Sequence, residues 1–456
     1  MNMQVKSLMR DFLNKILLNF LPVSFLRKYY VNISKPCQPN VGEVKQLLID
    51  VSVIAKVDAE TGIQRVVRNL YQELLASSPI GYKICPISGS RKQGYHYLAT
   101  DFLEHPATEQ ASSTASFVQV RTGDIFLGLD LAAHIIPNRT TELIRWKQQG
   151  VRMCFVVYDL LPVLEPTWFN YKTTLNFKRW LRSIAILADD VISISNVVKT
   201  DFSTWIKRHF NLNEQDITCK TIQLGAELNS RCHTNVKVDN INNLPTKLTE
   251  QKFILMVGTL EPRKGYADAL NALELLWAAG EEVKLVIVGK AGWKVEAFVS
   301  RLQSRIQVEE KLYWMPNISD EILQSLYQGC SGVIMASHGE GFGLPLIEAA
   351  YFNKPVLARD IPIFREIGNE STSYFADSSP AALSQAITDW LIKINQAQLT
   401  NSNFFIPTWH ACSQQLLKLI IHDFESTENS LNPSSAKVTI TSLDTKNSSP
   451  LSWGSQ

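Results

Sequence analysis

Apolar positions along this chain fall into short continuous runs, separated by longer stretches in which an apolar side chain recurs every three or four residues. That alternation predicts strand–helix–strand units and a parallel sheet. In Gln46–Val53, the residues Leu47, Leu48, Ile49, Val51 and Val53 predict a buried strand carrying Asp50. Thr61 and Gly62 then precede a helix over Ile63–Leu75, with Ile63, Val66, Val67, Leu70, Leu74 and Leu75 on one face. Further strands are predicted at Tyr82–Ile87, Asp124–Leu127, Val151–Val157 and Val191–Ile194. The pattern lapses over Leu224–Pro245, where Asn235, Asn240, Asn242 and Asn243 mark a linker. It resumes with a strand at Phe253–Val257, a helix at Tyr266–Ala279 closed by Gly280, and a strand at Val283–Val288. Strands at Leu312–Met315, Gly332–Met335 and Pro355–Ala358 and a helix at Asp320–Tyr327 complete a second doubly wound α/β unit. A last amphipathic helix, Trp409–His422, offers Leu416, Leu417, Ile420 and Ile421 for packing. After Phe424, 13 of 32 residues are Ser or Thr, too little apolar surface to offset ordering entropy, so a disordered tail is expected. The organisation expected is an N-terminal segment 1–45, a first domain 46–225, a linker 226–251, a second domain 252–408, a terminal helix 409–424 and a tail 425–456.

Residues 1–30 place Val5, Leu8, Met9, Phe12, Leu13, Ile16, Leu17 and Phe20 at helical spacing, beside Lys6, Arg10, Lys15, Arg27 and Lys28. Asn14, Lys15, Asn19 and Pro22 interrupt the run, so it is too short to span a bilayer. A basic amphipathic helix of this kind lies either in a membrane interface, as a peripheral contact, or against its own domain. The length of 456 residues exceeds one ordinary core, and 45% hydrophobic with 19% charged residues is a globular composition. With 45 Lys+Arg against 43 Asp+Glu, bulk charge gives no support for nucleic-acid binding. The seven cysteines have no paired spacing and no His spaced for metal, which fits reduced thiols in the cytoplasm and indicates no metal site.

The chemistry concentrates in Ser331–Pro362. An apolar strand there is followed by His338, Gly339, Glu340, Gly341 and Gly343, with almost no side-chain bulk, and then by Pro345 at the start of a helix expected over Leu346–Phe352. Glycines let a ligand approach backbone, and the free N–H groups of a helix N-terminus attract anions. Taken singly, Glu348 serves as a dipole complement and Glu340 as a solvated loop charge. A second stretch, Phe253–Tyr266, ends its strand at Gly258 and places Arg263 and Lys264 just before a helix. Cations there oppose the helix dipole at a cost of about 0.3–1 kcal/mol each unless an anion intervenes. Either they are surface charges tolerating that cost, or they hold a diphosphate.

Glu340 and Glu348, with Gly341, Phe342, Gly343 and Pro345 between them, resemble the "Glu, seven residues, Glu" signature of the retaining glycosyltransferases of family four, mannosyltransferases in particular. The order Gly258, Thr259, Leu260, Glu261, Pro262, Arg263, Lys264 is similar to a segment common in that family. The resemblance implies the glycosyltransferase B fold: two Rossmann-like domains facing a cleft, with the terminal helix crossing back to the first. It implies that Arg263 and Lys264 hold the donor's diphosphate, that Glu348 holds the ribose, and that Glu340 holds the sugar with the backbone of Phe342, Gly343 and Leu344. Gly258 and Gly62 would line the donor site, the latter in a glycine loop formed by Thr61, Gly62, Ile63, Gln64 and Arg65. For Thr61 and Arg65 a plain helix start is the preferred reading. Val156–Phe169 resembles the family's His-Asp strand end, with Tyr158 in the His position and Asp159 matching. Asp189–Ser195 resembles the family's segment before an interdomain helix, which implies that Ser195 and Lys199 are cleft residues. The function implied is transfer of a hexose from a nucleoside diphosphate sugar, with GDP-mannose preferred and no separate cofactor, to a glycan or lipid-linked saccharide. A non-catalytic sugar-nucleotide-binding protein and a sucrose-synthase-like transferase are the alternatives. No P-loop, H-E-x-x-H or G-x-S-x-G pattern offers a competing chemistry.

Overall fold

A computed structural model of the chain describes residues 18, 20–31, 44–59, 61–105, 116–228, 252–399 and 406–421. Most of the expected N-terminal helix and linker, and the whole tail, lie outside the described residues.

The first domain opens with helix α1 (Val23–Val31) and strand β1 (Lys45–Asp50), followed by α2 (Gly62–Ala76), β2 (Tyr82–Ser88), β3 (His96–Tyr97), β4 (Ile125–Gly128) and α3 (Ile136–Gln148). It continues with β5 (Arg152–Val157), α4 (Tyr171–Leu187), β6 (Asp190–Ser193), α5 (Asn196–Phe210) and β7 (Thr218–Thr221). These strands form one sheet in the order β3-β2-β1-β4-β5-β6-β7, parallel except for β3. The second domain comprises β8 (Phe253–Val257), α6 (Tyr266–Ala278), β9 (Lys284–Val288), α7 (Glu296–Ile306), β10 (Leu312–Met315), α8 (Asp320–Gly329) and β11 (Gly332–Met335). It closes with α9 (Leu344–Tyr351), β12 (Val356–Arg359), α10 (Pro362–Ile367), β13 (Thr372–Phe375) and α11 (Pro380–Asn395). Its sheet is wholly parallel in the order β10-β9-β8-β11-β12-β13, the doubly wound Rossmann order with its switch point between β8 and β11.

Both faces of each central strand are covered, which is why the strands are nearly continuous apolar runs. Along β8 the side chains alternate between two cores. Phe253 and Leu255 join a cluster continuous with the first domain, while Ile254 and Met256 face the separate core under α6 and α11. The last helix, α12 (Trp409–Ile420), returns to the first domain: Trp409 Nε1 donates to the Glu227 carbonyl (3.0 Å), and Lys220 Nζ donates to the Leu419 carbonyl (2.6 Å).

For the described part of the N-terminal segment, the structure favours docking on its own domain. Leu18, Val23 and Leu26 are buried, and Arg27 donates to the Ala185 (3.1 Å) and Ala188 (2.7 Å) carbonyls at the end of α4. A cation on those last carbonyls complements the helix dipole. Arg27 is therefore not available as a surface basic residue, whereas Phe20, Phe25 and Tyr29 remain exposed.

Candidate active site

The site forms where the loops after β8 and β11, on either side of the switch point, meet loops of the first domain. Pro262–Lys264 make one 3₁₀ turn before α6, and Gly265 caps that helix with φ +67°. A Cβ on Gly265 would lie 2.1 Å from the Ala336 carbonyl oxygen. Only glycine therefore lets the Arg-Lys turn sit on the end of β11, and a 2.7 Å bond from His338 N to the Arg263 carbonyl ties the two loops together.

Arg263 and Lys264 converge on one carboxylate. Arg263 Nη1 donates to Glu340 Oε2 (2.6 Å) and to the Gly339 carbonyl (2.8 Å), and its Nε donates to Glu261 Oε2 (2.8 Å). Lys264 Nζ donates to Glu340 Oε1 (2.5 Å), which also accepts from Ser337 Oγ (2.7 Å). Burial works against charge on both sides. Arg263 and Lys264 nevertheless hold the Glu340 carboxyl down at about 2, and Glu340 with Glu261 keeps Arg263 above its usual value. This corrects two expectations. Glu340 is not a solvated loop charge: its side chain is 6% exposed and engaged within the protein. Nor are the two cations open surface charges opposing a dipole, at 14% and 13% exposure.

Glu348 is held by a different set. The helix begins at Leu344, two residues before the expected start, so Glu348 lies at the start of the second turn and its side chain is 3% exposed. Its Oε1 accepts from Arg65 Nη1 (2.6 Å) and its Oε2 from the buried Tyr327 hydroxyl (2.7 Å). Arg65 Nη2 also reaches Asp320 Oδ1 (2.9 Å). Thr61 is a helix cap, forming a capping box with Gln64, as the plain-start reading has it. Arg65 is more than that, because it pairs across the cleft. Gly62 lies opposite Leu344, whose Cδ1 would be 3.7 Å from a Cβ there, so the N-termini of α2 and α9 face each other.

The first-domain wall is formed by Tyr158 and Asp159 at the end of β5. A Cβ on Gly341 would fall 1.9 Å from the Tyr158 carbonyl oxygen and 3.0 Å from Asp159 Cβ, so glycine is what allows this contact. Ser195 Oγ, the cap of α5, donates to the Gly341 carbonyl (2.9 Å). Burial raises Asp159 to about 6, with Arg263 opposing the rise. Tyr158, which stands in the position of the family's His, does not turn its hydroxyl to the cleft: it is buried and donates to the Leu129 carbonyl (2.6 Å), inside the first domain. Gly258, with φ +138°, lies beside Lys264 and Tyr266, and a Cβ there would be 3.6 Å from Lys264 Nζ. Phe342 is buried, and Gly343 caps α9.

Tyr327, Asp320 and Ser337 had no role in the motif reading, and Glu261 stood there only as part of the segment before Arg263 and Lys264. One signal was available for Arg65. It is a cation in the first turn of α2, the placement that drew attention to Arg263 and Lys264.

Residues 239–402 match the family Glycosyl transferases group 1. The second domain is a group 1 glycosyl transferase domain. A serotype-specific mannosyltransferase, WbdA of Escherichia coli, is 38% identical over 379 residues, which is 82% of this chain and 46% of WbdA. The chain thus spans a little under half the length of that relative. The O-antigen chain mannosyltransferase RfbU of Salmonella typhimurium is 23% identical over 218 residues, 48% of this chain and 55% of RfbU. Among solved structures, Anabaena HepE in complex with UDP and glucose superposes with a TM-score of 0.51 at 16% identity, covering 82% of this chain and 95% of HepE. At that identity the likeness is one of fold, and it gives the two-domain glycosyltransferase B architecture. The group 1 domain carries Arg263, Lys264, Glu340 and Glu348, and the first domain adds Arg65 and Asp159.

Proposed function

We propose that the protein is a retaining hexosyltransferase that moves mannose, from a nucleoside diphosphate sugar such as GDP-mannose, to a hydroxyl of a growing glycan or lipid-linked saccharide. The observation that carries this reading is that Arg263 and Lys264 are fixed side by side on Glu340, in the loop that leads through Gly343 into the N-terminus of α9. Lys264 Nζ has donors beyond its bond to Glu340, and together with the free N–H groups at the start of α9 it offers a diphosphate charge-assisted hydrogen bonds. The identity with WbdA supports mannose as the sugar.

In the reaction the bond from the anomeric carbon to the diphosphate oxygen breaks, and the acceptor hydroxyl oxygen bonds to that carbon on the same face. Its proton passes to the departing diphosphate. Arg263 and Lys264 stabilise the charge that grows on the leaving group, the contribution that usually dominates such catalysis. Glu340 positions both cations and keeps one of its roughly four lone pairs for a sugar hydroxyl. Glu348 takes the ribose, Gly258, Phe342, Gly343 and Leu344 line the donor, and Asp159 orients the sugar or acceptor from the opposite wall.

The test is incubation with a panel of nucleotide sugars and saccharide acceptors, following nucleoside diphosphate release and the anomeric configuration of the product. Transfer from GDP-mannose with retention is expected. The absence at Tyr158 of a cleft-facing group like the family's His favours one rival, a non-catalytic sugar-nucleotide-binding protein. Donor binding without transfer or donor hydrolysis would establish that rival.

Among the described residues no helix is long and apolar enough to cross a membrane. We place the protein on the cytoplasmic side, with residues 1–30 as a peripheral membrane contact. The membrane contact rests on the sequence pattern of Lys6, Arg10, Lys15 and Lys28, without the docked Arg27, and on exposed Phe20, Phe25 and Tyr29. The full chain should bind anionic vesicles and lose that binding when those three aromatics are replaced by serine; no binding of the full chain would remove the membrane contact, and undiminished binding of the variant would remove the aromatics from it.

A further inference from the structure

The Glu348 carboxylate is assembled by both domains. Arg65 comes from the first turn of α2, where a cation opposes the dipole of its own helix. Its guanidinium is satisfied instead by two carboxylates of the opposite domain, Glu348 at 2.6 Å and Asp320 at 2.9 Å. Burial alone would depress its pKa, but Glu348 and Asp320 raise it. Tyr327, buried and stacked on Phe352 with ring centroids 5.4 Å apart, holds the other Glu348 oxygen at 2.7 Å. Each oxygen of Glu348 thus accepts one bond. That leaves about two of its four lone pairs, the number a vicinal diol would use.

We propose that Arg65 is a positioning residue for recognition of the donor's ribose diol, acting through Glu348. This rests on the assignment of Glu348 to the ribose. The forked guanidinium, anchored by Asp320, fixes the rotamer of Glu348, so the carboxylate is aimed at the diol only while the two domains are together. Ribose recognition and cleft closure are then one event, and a lysine cannot reproduce the two-carboxylate bridge.

The experiment compares the affinities of GDP and 2′,3′-dideoxy-GDP for the full chain by titration calorimetry. It uses the wild type, Glu348→Gln, Arg65→Ala, Arg65→Lys and Asp320→Asn. The wild type is expected to prefer GDP by about tenfold or more, as for charge-assisted hydrogen bonds, and Glu348→Gln to abolish the preference. Arg65→Ala should reduce the ratio to within about twofold of Glu348→Gln while the dideoxy nucleotide binds as before, with Arg65→Lys in between. A wild-type ratio in Arg65→Ala overturns the proposal and leaves the ribose assignment standing. A ratio of one in the wild type overturns the ribose assignment and the proposal with it. If Arg65→Ala does not fold, Asp320→Asn carries the test: a lowered ratio supports the proposal, and an unchanged ratio overturns it.

Discussion

Replacing Glu340 by glutamine tests the Arg263–Glu340–Lys264 cluster with almost no change of shape. Lowering a carboxyl from 4.5 to about 2, at about 1.4 kcal/mol per pH unit, corresponds to about 3 kcal/mol of stabilisation in the ionised form. Breaking a buried ion pair by removing one partner costs about 3–5 kcal/mol. The lower end applies here, because Arg263 keeps Glu261 as a partner (2.8 Å). The two routes agree on about 3 kcal/mol, or roughly 6–12 °C in Tm for a unit of 150–250 residues. A depressed folded pKa gives stability that is fully present above the ordinary value and lost as pH falls toward 2. The difference between wild type and Glu340→Gln should therefore be full at pH 7 and shrink to about half at pH 3. The assay is urea unfolding of both proteins at the two pH values. Equal stability at pH 7, or the same difference at pH 3 as at pH 7, would refute the reasoning.

Tyr158→Phe should cost about 1 kcal/mol of stability, the net worth of its bond to the Leu129 carbonyl (2.6 Å), with kcat and donor KM unchanged in steady-state assays. Asp159, raised to about 6, should give an activity that rises with pH through about 6, and Asp159→Asn should flatten that limb of the profile. Because its folded pKa is raised, ionisation of Asp159 lowers stability above pH 6. Asp159→Asn should then melt higher than wild type at pH 8, and the gap should close as pH falls below 3.8. Glu366→Gln should loosen the domain contact, since the Glu366 carboxylate accepts from the Asn196 (2.7 Å) and Val197 (2.9 Å) amides at the N-terminus of α5. A larger radius of gyration in solution scattering is the expected readout.

The central strands were legible because they are buried on both faces and leave an unbroken apolar run. Phe253–Val257 and Gly332–Met335 coincide with their predicted bounds. The strands that escaped prediction are β3, β7 and β13, all at sheet edges. There the register is set by a neighbour rather than by composition, as in Thr218–Thr221, which pairs with Asp190–Ser193. The long helices α4 and α5 were implied only as patterns between strands, and their bounds came from packing on the first sheet. At the site, the residue types and order of Arg263, Lys264, Glu340 and Glu348 were visible. Their partners were not, because the Arg65–Glu348 contact joins positions 283 residues apart on different domains. Tyr158 misled for the opposite reason. Its place in a motif was visible, but the direction of its side chain depends on the Leu129 carbonyl, contributed by the loop after β4.

The most direct test of the diphosphate site is donor-saturation kinetics with GDP-mannose for wild type, Arg263→Ala, Lys264→Ala and the double variant, with Tm measured in parallel. Each cation makes a charge-assisted contact that strengthens as the leaving group gains charge, so each single variant should lose about ten- to several-hundredfold in kcat. The double variant should lose less than the product, because both cations serve one anion. Arg263→Ala should also melt lower, since it leaves Glu340 and Glu261 with one cation between them. Wild-type kcat and donor KM in both single variants would mean that the diphosphate binds elsewhere, and would contradict the account at its centre.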